Sequence, residues 1–231
     1  MRRPRIRPLY SLYCLTLFTG LGLITLGVNL FVPGLRGRRR VAGVCSRIFL
    51  LGAGIPFSVR GLESLPKVPC VVVANHASYI DGLVAAAALP PDFAFVIKRE
   101  MVRVPLASLL LRRLGSQFVE RFDRHKGGVD TRRVLKLAAT GQSLVFFPEG
   151  TFDEEPRIGK FLGGAFATAA RAQMPVVAMA IRGSRAVLPC GGRSIYRLPI
   201  DVEILAVMSA ADARSHSRTL IAQAVGEPLA D

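Results

Sequence analysis

Val68-Pro69-Cys70-Val71-Val72-Val73-Ala74 runs directly into Asn75-His76-Ala77-Ser78-Tyr79-Ile80-Asp81. The first seven residues carry no polar alternation, the pattern of a strand buried on both faces of a sheet. The next seven are polar and turn-forming, and the Ala-rich run 81–89 behind them reads as a helix. Outward from this point the same alternation continues. Strands are expected at 93–97, 117–119, 143–147, 176–181 and 200–207, and helices at 105–114, 130–140, 161–173 and 210–225. Asp130 has the chemistry of an N-cap, and Gly141 that of a stop. This order predicts an α/β fold, a mixed, largely parallel sheet covered by helices, with an N-terminal membrane-anchoring helical segment.

That segment carries a distinct charge. The chain has 231 residues, 31 Lys+Arg and 16 Asp+Glu, for a net charge of +15. Residues 1–57 contain nine Arg and no acid, so +9 of the charge lies in the first quarter. Within it, residues 9–32 are 24 consecutive uncharged positions, long enough to cross a bilayer as a helix. Arg2, Arg3, Arg5 and Arg7 precede this run, and Arg36, Arg38, Arg39 and Arg40 follow it. With cations at both ends the positive-inside rule does not choose an orientation, and both a spanning helix and a shallow insertion remain open. A second apolar stretch, 48–57, is too short to span and reads as interfacial. The expected division is a membrane anchor at 1–57 and a catalytic-size domain at 58–231. The arginines of the anchor are expected to meet anionic headgroups.

Several function classes lose support. The four cysteines form no CxxC pair, so neither a disulfide framework nor a metal site is indicated. There is no Walker A loop, no GxGxxG, no HExxH and no GxSxG elbow. The absence of Trp, the presence of only four Tyr and the lack of a recognition module argue against nucleic acid as a partner, despite the charge.

What remains is a histidine with an acid five residues on. A histidine takes a proton from a hydroxyl near neutral pH, and a carboxylate on its other ring nitrogen fixes the tautomer. His76 and Asp81 have that spacing, immediately after a strand, where open α/β sheets bind ligands. His125 and Asp130 share the spacing but sit in a polar loop, and His216 reads as solvated surface. Arg121 follows the strand 117–119, and Glu149 follows 143–147. Three chemically useful groups thus fall at strand carboxyl ends.

Taken together, Asn75-His76-x4-Asp81, Val119-Glu120-Arg121, Phe147-Pro148-Glu149-Gly150-Thr151 and 175–181 resemble, in order and spacing, the four motifs of the glycerolipid acyltransferases. The 1-acylglycerol-3-phosphate (lysophosphatidate) acyltransferases are the nearest type. The resemblance covers about residues 60–210. It implies transfer of a fatty acyl group from a thioester, acyl-CoA or acyl carrier protein, to a lysophospholipid hydroxyl without a metal or redox cofactor. His76 would be the general base and Asp81 its orienter, with Asn75, Arg121, Glu149, Gly150 and Thr151 binding the acceptor. The strand 175–181 would support the site and the acyl path. Lys98, Arg99, Arg103, Arg112 and Arg113 are available to the anionic donor. Membrane lipids are the expected partners, with the domain on the cytoplasmic side of the cell membrane. One departure bears on the acceptor: Phe152 stands where the family pattern has Arg, and Asp153, Glu154 and Glu155 follow it. An acceptor with a zwitterionic or amino-acid headgroup is therefore the alternative, and an inactive anionic-lipid-binding protein the non-enzymatic one.

Overall fold

A computed structural model describes residues 8–120, 124–192 and 194–230, with side chains of the helix at 124–139 described from 132 onward. Seven strands form one sheet in the order β1-β7-β6-β2-β5-β3-β4. They are β1 (Phe57–Arg60), β2 (Val71–Ala74), β3 (Phe93–Lys98), β4 (Gln117–Val119), β5 (Ser143–Phe146), β6 (Val176–Arg182) and β7 (Ile200–Met208). Every neighbouring pair is parallel except β6 and β7. The sheet is mixed and largely parallel, as the alternation of elements requires.

β2 lies at the centre, and its side chains alternate between two cores. Val72 and Ala74 pack on one face with Val145, Val177 and Met179. Val71 and Val73 pack on the other with Leu144, Val176 and Ala178. The first face is covered by α2 (Leu35–Gly52) and α3 (Asp81–Ala88). The second is covered by α5 (Arg124–Ala139), α6 (Gly164–Arg171) and α8 (Ala213–Val225). The alanines of α3 let α2 approach closely: a Cβ on Gly43 would stand 2.9 Å from the Ala86 carbonyl oxygen. Arg47 of α2 donates to the Ala87 carbonyl at 2.7 Å, satisfying one of the acceptors that a helix end leaves open.

The N-terminal quarter differs from expectation in three ways. First, 48–57 is built partly into the fold, with Ile48 and Leu51 left exposed. It is the last turn of α2, a short turn and the first residue of β1, and Phe49, Leu50, Ala53 and Ile55 are buried in the core. The expected boundary at 57/58 consequently falls inside a strand. Apolar residues there pack under the sheet, which the hydropathy of a ten-residue window does not distinguish from packing on lipid.

Second, the arginines after the apolar run bond to protein. Arg38 donates to the Val32 carbonyl, Arg39 to the Leu114 carbonyl and the Gln142 side chain, and Arg36 pairs with Asp92. Arg39 ties α2 to the base of the sheet and Arg38 ties it to the end of α1, while Arg36 and Arg40 remain exposed.

Third, α1 (Pro8–Phe31) is tied down at both ends. Near its start, Tyr10 and Tyr13 donate to the carbonyls of Ala53 and Gly52, and Ser11 accepts from Ile195. Near its end, Arg113 of α4 (Pro105–Arg113) donates to the carbonyls of Asn29 and Leu30.

α1 is apolar on both sides, and Leu17 and Leu21 pack against the core. Cys14, Thr25 and Asn29 face the domain and are buried, while Leu12, Leu15, Phe18, Leu23, Ile24 and Val28 are exposed. By length and composition α1 is long and apolar enough to cross a membrane. Elsewhere the differences are small. α5 begins at Arg124, six residues before Asp130, so Asp130 lies inside the helix and is not its cap. α6 begins at Gly164 and α8 at Ala213, because Phe161 is a core residue ahead of the first turn and Asp212 takes the N-cap position.

Candidate active site

β2, β5 and β6 end side by side, and their carboxyl ends carry His76, Glu149 and Ile181. The chain leaves β2 through a turn that folds back within six residues. Asp81, at the start of α3, thereby returns to His76: Nδ1 stands 2.8 Å from Asp81 Oδ2. The same oxygen accepts from the backbone N–H of Ala77 at 2.7 Å and of Ser78 at 2.8 Å. Asp81 is wholly buried, and the His76 side chain is 20% exposed. A carboxylate can only accept, so Nδ1 carries the proton and Nε2 is left as the basic nitrogen.

Glu149 sits behind the histidine. Its Oε1 accepts from the His76 backbone N–H and its Oε2 from the Gly159 N–H, each at 2.7 Å. Burial pushes the Glu149 carboxyl up to about 7, against the opposing pull of the two N–H donors, with Glu227 and Asp81 adding negative potential. Gly150, at φ +79, makes the reversal that turns the next residues back over the site. Thr151 is exposed.

Two of the residues expected to bind the acceptor serve the scaffold in this structure. Asn75 is buried, and its amide forms a closed pair with Ile181: Nδ2 donates to the carbonyl at 2.9 Å and Oδ1 accepts from the N–H at 2.8 Å. Both oxygens of Glu149 are likewise committed to backbone. The reason is topological, because two parallel strand ends with no hydrogen-bonding neighbour beyond them must find side-chain partners. Arg121 lies outside the described residues. Of the cations offered to the donor, Arg113 is bound to α1, and Arg112 lies over the Phe118 ring at 5.3 Å.

The aromatic walls of the site were not singled out from sequence. Phe147 stacks on the His76 imidazole at 4.6 Å between centroids, and Phe152 meets it edge-on at 4.5 Å. Tyr79 meets the other side of Phe152 at 4.9 Å. Two phenylalanines flanking Pro148-Glu149-Gly150-Thr151 were the available signal. The acids beyond Phe152 turn outward: Arg157 pairs with Asp153 and Glu155, each at 2.9 Å. Arg185, on the short helix α7 (Ser184–Val187) after β6, donates to the Asp153 carbonyl and pairs with Glu227, which fixes this loop against α7.

Neither Ser78 nor Cys70 is placed as a nucleophile. The Ser78 hydroxyl donates to the Leu188 carbonyl at 2.7 Å. Burial raises the Cys70 thiol to about 11, away from a reactive thiolate.

A family model described as Acyltransferase matches residues 56–182, from the start of β1 to the end of β6. A chloroplast 1-acyl-sn-glycerol-3-phosphate acyltransferase of Brassica napus is 30% identical over 165 residues, covering 69% of this chain and 48% of that protein. A lyso-ornithine lipid O-acyltransferase of Pseudomonas aeruginosa is 33% identical over 182 residues, covering 73% of this chain and 68% of that protein. The chain spans about half the length of the plant and algal relatives it matches. Among solved structures, a 1-acyl-sn-glycerophosphate acyltransferase from Thermotoga maritima has the same fold, with a TM-score of 0.77 at 21% identity over 94% of each chain.

Proposed function

The chain belongs to the acyltransferase family, and we propose that it moves a fatty acyl group from an acyl thioester to the free hydroxyl of a lysophospholipid at a membrane surface. The acceptor named first is 1-acylglycerol-3-phosphate, giving phosphatidic acid, in keeping with what the Brassica napus relative is named for. The observation that carries the reading is the 2.8 Å contact between His76 and a wholly buried Asp81 at the carboxyl end of the central strand.

In this reaction Nε2 of His76 removes the acceptor hydroxyl proton as the oxygen attacks the thioester carbonyl carbon. The C–O bond forms, the tetrahedral centre collapses, and the C–S bond breaks. The thiolate then takes the proton back from the imidazolium, which returns the histidine to its starting state. Asp81 holds the tautomer and stabilises the transient cation. A thioester is already activated, so positioning and one base suffice, and the step calls for no metal or redox cofactor. The donor is acyl-CoA or acyl carrier protein. The domain works from the cytoplasmic face of the cell membrane, held there by α1.

A second acceptor class, a lysolipid with a zwitterionic or amino-acid headgroup, is favoured by Phe152. It stands where the family pattern has Arg, and its ring, edge-on to His76, offers a phosphomonoester no hydrogen-bond donor. The test supplies labelled acyl thioesters and a panel of lysolipids to the membrane-bound protein. Acylation of any lysolipid, lost in His76→Ala, supports the reading, and the preferred headgroup separates the two acceptor classes. Full activity in His76→Ala removes the proposed base. Lipid binding without turnover on any acceptor supports the non-enzymatic alternative.

A further inference from the structure

The loop that follows Glu149 is held from behind by the segment after α8. Gly226, in the left-handed region at φ +71, ends α8 and lays residues 227–230 against that loop. Ile158 and Leu229 form a parallel bridge there. The Ile158 N–H donates to the Pro228 carbonyl and the Ala230 N–H to the Ile158 carbonyl, each at 2.9 Å. Arg218 of α8 donates to the carbonyls of Ile158 and Gly159 at 3.0 and 2.8 Å, and to that of Ala230. The next N–H along, that of Gly159, is the one Glu149 Oε2 accepts. The tail and the carboxylate behind His76 therefore grip adjacent residues of one loop.

Arg185 is the second link between tail and loop. Its Nε and Nη2 bind the two oxygens of Glu227 at 3.1 and 3.2 Å, and Nη1 donates to the Asp153 carbonyl at 2.7 Å. Asp153 follows Phe152, whose ring meets the His76 imidazole. The pair is shielded, with the Arg185 and Glu227 side chains 18% and 17% exposed. A two-oxygen fork away from water holds geometry in a way that the exposed Arg157 pairs on the same loop do not. Around Glu149 the charged and titratable groups are His76 and Asp81 from the turn after β2, Glu227 from the tail, Arg185 from α7 and Arg218 from α8. Glu227 and Asp81 add negative potential at its carboxyl.

We propose that Arg185 and Glu227 are positioning residues for acyl transfer: their shielded pair clamps the tail to the loop 150–159 and, through Phe152 and Glu149, sets the place of His76. This rests on the reading of His76 as the base. Both residues act at a remove. They fix the loop at Asp153, and the tail fixes it again at Ile158 and Gly159, so each oxygen of Glu149 faces an N–H that does not wander. A base displaced by a fraction of an ångström loses rate without losing substrate affinity. Arginine suits the role because its planar fork binds both Glu227 oxygens while a third nitrogen reaches Asp153. An ammonium carries the same charge without that geometry.

The test measures kcat, KM and pH–rate curves of the full-length protein in membranes, with labelled acyl-CoA and whichever lysolipid of the panel the parent acylates fastest. Arg185→Lys keeps the charge, so kcat should fall by roughly tenfold or more while KM, the melting temperature and the Glu149 limb stay near the parent's. Glu227→Gln keeps the shape and removes a negative charge. Glu149 then ionises more easily, and the acid limb should move to lower pH by about half a pH unit. The same substitution in a Glu149→Gln background should move no limb, which separates this effect from a direct one on His76. Arg185→Met with Glu227→Gln removes the bridge without stranding a charge, and should match the kcat loss of Arg185→Lys even where a single variant folds poorly. Arg157→Gln, on the exposed side of the loop, should be parent-like. Parent-like kcat in both Arg185→Lys and the double variant overturns the proposal, as does a loss expressed in KM alone or an equal loss in Arg157→Gln. So does a limb that stays fixed in Glu227→Gln, or that moves equally without Glu149. Each of these outcomes, with His76→Ala inactive, leaves the base in place. Full activity in His76→Ala, or a parent that acylates no lysolipid, removes that reading and the proposal with it.

Discussion

His76 is held from three directions: by Asp81 at Nδ1, by Glu149 at its backbone N–H and by Phe147 and Phe152 on the ring. Each hold has a separate signature. Asp81→Asn keeps the volume but offers an amide where a carboxylate fixed the tautomer. It should lower kcat by on the order of a thousandfold with little change in KM, measured on the membrane-bound enzyme. Glu149 gives a pH dependence whose sign follows from its two bonds. Both oxygens must accept, so protonation sets an O–H against one of the N–H donors and loosens the loop that holds His76. Because burial raises this carboxyl to about 7, its contribution to activity should be lost as pH falls through that value. Its contribution to stability runs the other way. The native carboxyl keeps its proton after the unfolded one has released its own, so this contribution falls as pH climbs from the ordinary carboxylate range to about 7 and is then level. Glu149→Gln has one acceptor for two donors at every pH. It should show roughly tenfold lower kcat above about pH 7 and lack the Glu149 limb of the profile, read by pH–rate curves of both proteins. A parent-like profile in Glu149→Gln would refute this account.

At the scale of elements, the active site depends on tying strand ends together. Asn75 joins the end of β2 to the end of β6 across 106 positions of sequence, and Glu149 joins β2 to the loop after β5. Asn75→Ala leaves the Ile181 N–H and carbonyl buried without these partners, a loss of about 3 kcal/mol. Calorimetry should show a melting temperature lower by roughly 5–10 °C. A fall of under about 1 °C would mean that water replaces the amide there. The histidine–aspartate pair was readable beforehand because its two members are five residues apart across a single turn. The roles of Asn75, Arg36, Arg38 and Arg39 were not. Their partners are remote carbonyls or side chains, and a polar residue in sequence carries no mark of which distant group it will meet. Arg38 holds the connection between α1 and α2 through the Val32 carbonyl, and Arg39 clamps α2 to the base of the sheet.

At the scale of the whole molecule, charge and apolar surface have to be considered together. The net charge of +15 suggests electrostatic attraction to anionic membranes, while the exposed leucines of α1 provide a contact that salt does not screen. Raising salt from about 0.1 M to about 1 M shortens the screening length from about 10 Å to about 3 Å. Flotation on anionic vesicles should then weaken by on the order of tenfold and level off above zero. Complete release at high salt would mean that binding is electrostatic alone, with α1 outside the hydrocarbon. Composition had divided the chain into a cationic anchor and a separate domain. The structure packs Phe49 and Leu50 of α2 into the core of the domain and leaves Leu12, Leu15, Phe18, Leu23 and Ile24 of α1 exposed.

The sequence by itself determined the elements whose causes are local. These are the buried strand before Asn75, the alternation that yields a largely parallel sheet, the His76–Asp81 turn and the uncharged run of α1. Each is written in the periodicity or spacing of neighbouring residues, and backbone geometry converts that directly into shape. Only the tertiary structure decided which polar groups serve the scaffold and which stand beside the base. It also decided that Phe152 stands edge-on to His76, that Glu149 spends both oxygens on backbone, and that Phe49, Leu50, Ala53 and Ile55 belong to the core. Those outcomes depend on which strand ends and helices come side by side, and contacts between positions a hundred residues apart leave no local period to read.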